Sequence, residues 1–426
     1  MRIFLFTAIF IFTWMVSFCQ NITGDWQGNI EVSGRQIPIV FHFYKDSSGT
    51  WNGKWDSPSQ NAMNLPYTGV TVSADSLVVG LKVISGFYSG KFINADSIAG
   101  TWHQGASQLP LNISKNFIKF KRAASVLGLN EKEIAINVNN GTRLYGTLLS
   151  KNNSQKLAII IAGSGPTDRD GNNPLGVAAN SYKMIADELD KQNIATFRYD
   201  KRGIGKSVIE NMNESDLVFD DYIKDAEKIF DYMKDSLGFK NIYFIGHSEG
   251  SLIGIMASQH TPVKGLISIS GAGRPIDEIL TEQLSANPKF FQMKNEVASI
   301  FSELKNGKKP DSIPAALESI FRPSIQPYMI SWLKYSPAVE IKKLNCPVLI
   351  LQGSCDAQIK VEDAENLNSA CKKSTLDIIP LMTHTLKNAG AGCKDENNRT
   401  YTDASLPLAK ELVNDMVNFM VNFIKK

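Results

Sequence analysis

Ser248 stands in Gly246-His247-Ser248-Glu249-Gly250, between the apolar run Ile242-Tyr243-Phe244-Ile245 and the segment Ser251-Leu252-Ile253-Gly254-Ile255-Met256-Ala257. A serine hydroxyl attacks a carbonyl well only when a base takes its proton as the bond forms. The spacing supplies the first half of that arrangement. A buried strand that ends in Gly-x-Ser-x-Gly and turns at once into a helix lifts the hydroxyl above a sheet edge. It also aims a helix N-terminus at the reacting carbonyl. Gly246 and Gly250 spare the tight turn a Cβ on either side of the serine.

The second half is the base, and the chain offers five histidines. His42 and His103 lie in the β-rich front of the chain and read as strand residues, since no partner stands at metal-ligand spacing. His247 belongs to the turn and points elsewhere, and His260 closes the helix that follows. His384 remains, in Met382-Thr383-His384-Thr385 on the loop after the last strand, and is the expected base. A carboxylate must hold its tautomer and offset its developing charge. Asp356, just past the run Val348-Leu349-Ile350-Leu351-Gln352, is placed for that task. Glu362 and Asp363 compete, but their position at the start of a helix suits the charge at a helix N-terminus.

An oxyanion needs two N–H donors. One is the amide of Glu249, next to the nucleophile. The other comes from Ala162-Gly163-Ser164-Gly165-Pro166, with Ser164 first and Gly163 or Gly165 as alternatives; Pro166 has no N–H. The same loop lacks the Lys-Ser/Thr of a phosphate-binding loop.

These residues need a sheet to hold them. Glu133–Val138 and Thr142–Leu149 pair as a hairpin across Asn139-Asn140-Gly141. From there strand patterns (157–162, 194–199, 242–245, 265–270, 348–352, 375–379) alternate with helical ones (181–191, 220–237, 249–259, 361–371, 408–425). Such alternation predicts an α/β fold, a mostly parallel sheet with helices on both faces, over 130–426. From about 274 to 340 only helical pattern and scattered prolines occur, which predicts a helical cap that walls the pocket.

Residues 20–122 differ. Short alternating runs between Gly, Asn, Asp and Ser clusters predict a smaller antiparallel all-β domain of seven to nine strands. Glycine and tryptophan recur one residue apart at Gly24/Trp26, Gly49/Trp51 and Gly100/Trp102, reading as large aromatics that open strands into one core. Residues 1–19 have one positive charge, an apolar stretch and small Ser17 and Cys19. They read as a secretory signal cut before Gln20, with an uncleaved anchor or a lipid-anchored Cys19 as alternatives. The protein is thus expected to be exported, periplasmic or secreted. Cys346, Cys355, Cys371 and Cys393 then remain, and the strand map favours pairing 346–371 and 355–393, with buried free thiols as the alternative. A formal charge of +3 with no basic run gives no indication of nucleic acid or an anionic membrane as partner.

The motifs Gly163-Ser164-Gly165-Pro166-Thr167-Asp168-Arg169-Asp170-Gly171-Asn172 and Arg198-Tyr199-Asp200-Lys201-Arg202-Gly203-Ile204-Gly205-Lys206-Ser207 join the elbow, Gln352-Gly353-Ser354-Cys355-Asp356 and the late histidine. With them, 130–426 resembles the α/β-hydrolase superfamily, in its serine esterase and serine aminopeptidase-like branch. The order Ser248, Asp356, His384 is that of the superfamily rather than of chymotrypsin or subtilisin. The resemblance implies hydrolysis of small-molecule carboxylic esters with short to medium acyl groups, without cofactor or metal. It implies a structural part for Asp200–Ser207, Asp168 and Arg169, with a substrate carboxylate as the alternative partner of Arg169. Two other readings are a peptidase or amidase with the same triad, and a front domain that binds a glycan or lipid beside an accessory hydrolase.

Overall fold

A computed structural model of the chain describes residues 21–422, apart from 33–34, 58–61, 82–85, 105–106, 116–126, 139–140, 152–153, 174–176, 208–212, 287–289, 391 and 394–396. The expected signal segment, 1–19, lies outside the described residues. The chain divides into two compact units, Met1–Lys121 and Arg122–Lys426.

The front unit is all β. Its strands are β1 (Gly24–Val32), β2 (Arg35–Lys45), β3 (Trp51–Ser57), β4 (Ala62–Pro66) and β5 (Gly69–Val72), then β6 (Ser76–Leu81), β7 (Gly86–Asn94), β8 (Ser97–Gln104), β9 (Ser107–Pro110) and β10 (Ile113–Ser114). They form one antiparallel sheet of ten strands, one more than the upper end of the expected range, in the order β4-β3-β2-β1-β10-β8-β7-β6-β5 with β9 beside β8. Side chains alternate across a strand. Trp26, Phe41, Phe43, Trp55, Leu77, Val79, Tyr88 and Trp102 therefore enter one core, while His42 faces away from it.

The second unit opens with the predicted hairpin, β11 (Glu131–Asn137) against β12 (Arg143–Leu149). Next come β13 (Lys156–Ile161), the short pair β14 (Asn172–Asn173) and β15 (Val177–Ala178), α1 (Ser181–Lys191), β16 (Ala195–Tyr199) and α2 (Phe219–Asp231). Then follow β17 (Asn241–His247), α3 (Glu249–His260), β18 (Gly265–Ile269), β19 (Val348–Gly353), α9 (Val361–Ala370), β20 (Ser374–Ile379), α10 (Asn397–Thr402) and α11 (Lys410–Asn422). Between β18 and β19 lie α4 (Ile276–Ser285), α5 (Lys294–Lys305), α6 (Glu318–Phe321), α7 (Gln326–Trp332) and α8 (Pro337–Ile341). The eight-stranded sheet runs β11-β12-β16-β13-β17-β18-β19-β20, and every pair from β16 to β20 is parallel.

The central strands are buried along their whole length, because alternate residues feed two cores. Ile159, Phe244, Leu266 and Ile350 face α2 and α3; Ile160, Tyr243, Ile267 and Leu349 face α1 and α11. The insertion helices join the first core through Leu284, Phe301, Leu304, Phe321 and Met329. That attachment decides the cavity's walls.

Candidate active site

Ser248 follows β17 as the residue before α3, with φ 56° and ψ −121°. A left-handed φ on a non-glycine residue is strained and persists only where surrounding structure enforces it. Packing around the turn enforces it here. A Cβ on Gly246 would lie 2.2 Å from the Gly250 carbonyl oxygen, and one on Gly250 would lie 2.2 Å from that of Ile161. The Ser248 N–H donates to Ile269 O at 2.9 Å, which ties the turn to the next strand.

His384 is 5% exposed on the loop after β20, and its Nδ1 meets Asp356 Oδ2 at 2.9 Å and Oδ1 at 3.1 Å. Asp356 Oδ1 also accepts the N–H groups of Gln358 and Ile359, at 2.8 and 3.0 Å. Burial pushes the Asp356 carboxyl up, but the His384 imidazole and those two amides outweigh it and hold the group below the usual carboxylate range. Asp356 thus stays ionised and fixes Nδ1 as the protonated nitrogen, which leaves Nε2 to accept a proton.

Ser248, His384 and Ser164 line one cavity of about 290 Å³. Its other walls come from the loop after β13, from β15 and α1 (Val177, Ala179, Tyr182) and from Gln358 and Tyr401, which are joined by a 2.6 Å hydrogen bond. Among the described residues, none that lines it belongs to 274–340. The expected cap does not wall this cavity, because its apolar faces are committed to the core on the α2–α3 side. Tyr401 on α10 takes that place, and Cys355–Cys393 ties the chain before α10 to the residue preceding Asp356.

The loop after β13 is held peptide by peptide. Gly163 N–H donates to Tyr182 OH at 3.1 Å, so of the three candidate donors this one is already engaged. Among the described residues no acceptor takes the Ser164 N–H, while the Ser164 carbonyl accepts Thr167 Oγ1 at 3.0 Å. Glu249 opens α3, where first-turn amides lack an intrahelical acceptor. Its carboxylate turns away from the cavity to accept Tyr328 OH at 2.7 Å.

Two residues that sequence reasoning passed over complete the frame. The Tyr182 hydroxyl donates to His247 Nδ1 at 2.7 Å, and His247 Nε2–H donates to the His384 carbonyl at 2.9 Å. Burial, then the neighbouring His384, push the His247 imidazole down to about 3, so it is neutral with its proton on Nε2. The elbow histidine was expected to point elsewhere; it lines the same cavity, but both its ring nitrogens are engaged, and it supports the backbone of His384. For Tyr182, a helix residue, the local pattern carried no signal.

The competitors have other duties. Glu362 and Asp363 stand in the first turn of α9, as expected, and the buried Asp363 also accepts Arg274 Nε and Nη2 at 3.0 and 2.8 Å. Arg169 pairs with Asp200 at 2.8 Å, and His260 Nδ1 lies 2.7 Å from a Glu227 carboxylate oxygen. Cys346 and Cys371 are free thiols, against the pairing expected for them. Burial pushes the Cys346 thiol up to about 11, which disfavours the thiolate that disulfide exchange requires. No group of acidic, histidine or cysteine side chains suited to a metal ion occurs among the described residues, and no described helix is long and apolar enough to cross a membrane.

Residues 175–319 match the family model for serine aminopeptidase, S33, a span that holds Ser248 and stops short of Asp356 and His384. Esterase EstD of Thermotoga maritima is 25% identical over 213 residues, 49% of this chain and 48% of that protein. The chain thus spans about half the length of the curated relative it matches. Among solved structures, Est1E from Butyrivibrio proteoclasticus aligns at 21% identity and a TM-score of 0.45, over 69% of this chain and 99% of that one. The α/β hydrolase GrgF from Penicillium sp. sh18 aligns at 18% identity and a TM-score of 0.46, again over 69% and 99%. In its sheet order, its strand–elbow–helix and the family match over 175–319, the chain is similar to the α/β hydrolases of the serine aminopeptidase-like and esterase branch.

Proposed function

We propose that the protein is a serine hydrolase that cleaves carboxylic esters through an acyl-enzyme. The observation that carries the reading is the shared cavity: Ser248, Ser164 and His384, the last bonded to Asp356, line the same space. His384 Nε2 takes the Ser248 proton as Oγ adds to the ester carbonyl, and the amides of Ser164 and Glu249 receive the oxyanion. The imidazolium passes its proton to the departing alcohol. Water then repeats the sequence on the acyl-enzyme, with His384 as base, and releases the acid. Losing one oxyanion donor would raise the barrier by about 3 kcal/mol.

The lining supports a small ester over an aminopeptide. None of the described residues around the cavity is acidic, so nothing there would hold a peptide's ammonium group. The nearby carboxylates of Asp356, Glu249 and Asp168 are taken by His384, by Tyr328 and by the Asp170 and Asn172 amides. A volume of about 290 Å³ suits short to medium acyl groups. The N-terminal pattern and the Cys355–Cys393 bond support export to an oxidising compartment. The test is hydrolysis of nitrophenyl esters of increasing chain length. Ser248→Ala is expected to abolish turnover while the circular dichroism spectrum stays unchanged, and retained turnover would refute the assignment.

A further inference from the structure

Lys201 is a lysine that the chemistry above does not use, and it is 2% exposed. It follows β16 in Asp200-Lys201-Arg202-Gly203, and its neighbours pin it from both sides. Asp200 binds Arg169, and Arg202 forms a two-point pair with Asp225 at 2.5 and 3.1 Å. Lys201 Nζ reaches inward to the Gly163 carbonyl at 2.5 Å, lies 3.7 Å from Glu249 Oε1 and sits over the Tyr222 ring at 5.0 Å. Burial lowers its tendency to hold a proton, and the Glu249 carboxylate opposes that. As a stabilising device such a buried pair is weak, because desolvation consumes most of the attraction. What it touches is more informative.

The C=O of one residue and the N–H of the next belong to a single planar trans peptide and point in opposite directions. Anchoring the Gly163 carbonyl on Lys201 therefore directs the Ser164 N–H the other way, and Ser164 lines the cavity. The preceding peptide is held through Gly163 N–H to Tyr182, and the following one through Thr167 to the Ser164 carbonyl. A rotated Gly163–Ser164 peptide would present a carbonyl where an oxyanion needs a donor. The second donor belongs to Glu249, whose side chain meets the same ammonium and Tyr328 of α7.

We propose that Lys201 is a positioning residue for ester hydrolysis, setting the Gly163–Ser164 peptide so that Ser164 N–H faces the oxyanion, with Glu249 and Tyr328 holding Lys201 in place. The inference rests on the esterase reading above. It also gives the helical insertion a part in the reaction that does not require it to touch substrate.

The experiment compares the full-length wild type with Ser248→Ala, Lys201→Met and Tyr328→Phe on nitrophenyl acetate, the active fraction of each being counted with a fluorophosphonate. Inhibition by an alkyl boronic acid, whose tetrahedral serine adduct places an oxygen in the hole, is measured alongside. Lys201→Met should lower kcat about 10²- to 10³-fold with KM within about threefold, and weaken the boronic acid while leaving affinity for the product alcohol unchanged. Tyr328→Phe should lower kcat about three- to tenfold in the same pattern. A purely structural role would change the active fraction and not these constants. A Lys201→Met enzyme with wild-type kcat and boronic acid affinity overturns the proposal alone. If that variant does not fold, Tyr328→Phe decides, and unchanged constants there overturn it as well. A wild type without esterase activity, or Ser248→Ala that retains it, overturns the esterase reading and this proposal with it.

Discussion

His42 in the front unit and His247 in the α/β unit are each held through both ring nitrogens, yet they take opposite charge states. His42 Nδ1 lies 2.7 Å from Asp25 and Nε2 lies 2.9 Å from Asp56. Asp56 raises its pKa most, burial opposes, and Asp25 adds to the rise, so the imidazole is pushed up to about 9 and is a cation at neutral pH. His247 has a phenol and a backbone carbonyl as partners and no carboxylate, and it falls to about 3. The number of hydrogen bonds is the same. What differs is burial, complete for His247 and partial for His42, and whether the partners carry charge; together these decide which unit gains from a proton.

The strongest way to break the contrast is His247→Phe. It leaves the Tyr182 hydroxyl and the His384 carbonyl buried without each other's bridge, at roughly 1–3 kcal/mol for each group. The α/β unit should lose about 2–6 kcal/mol, read by ellipticity at 222 nm, since the described helices all belong to that unit. Turnover should fall about tenfold or more because the base's loop is released. An unchanged melting curve and unchanged kcat would remove His247 from the frame.

Acid titration is the next test. His247 is neutral in the fold down to about pH 3 but protonates near 6.5 when unfolded, so its contribution is complete above 6.5 and is lost as pH falls toward 3. The loss should run at about 1.4 kcal/mol per pH unit and be missing from the His247→Phe variant. Equal acid slopes in the two proteins would contradict it.

The front unit should show the reverse sign. His42 contributes most below pH 6.5, and that contribution disappears as pH rises through about 9. The site is partly open to solvent, so His42→Gln should cost no more than about 1 kcal/mol. Tryptophan fluorescence can follow this, because Trp26, Trp51, Trp55 and Trp102 lie in that unit. The smallest effect is expected from Asp25→Asn. It should lower the NMR titration midpoint of His42 less than Asp56→Asn does, and the opposite ranking would mean that the exposed carboxylate carries the charge.

Much of the α/β unit was legible because its signals are local. β17, Ser248 and α3 are consecutive, and chain order with strand position pointed to His384 and Asp356 as partners. The cavity walls were not legible, since a helical run does not reveal which core its apolar stripe joins. The same holds for Lys201: its motif reads as a turn, and its target, Gly163, lies 38 positions away. The Cys346–Cys371 expectation failed because a strand map places residues only coarsely: both are free thiols packed against the α2–α3 core. Tyr182 and Tyr401 were invisible for a related reason. A phenol on a helix gains its role only from what the fold brings opposite it.

The cross-link between Cys355 and Cys393 adjoins the turn that carries Asp356 and secures the approach to α10, which supplies Tyr401. One covalent bond therefore serves two neighbours, the carboxylate that holds His384 and the rim of the cavity. Protein matured among reductants would fold around the same sheet yet lack this hasp. On the esterase proposal, a reduced sample would hold Tyr401 less firmly at the cavity rim, so acyl-chain preference becomes a readout of the redox history of the sample.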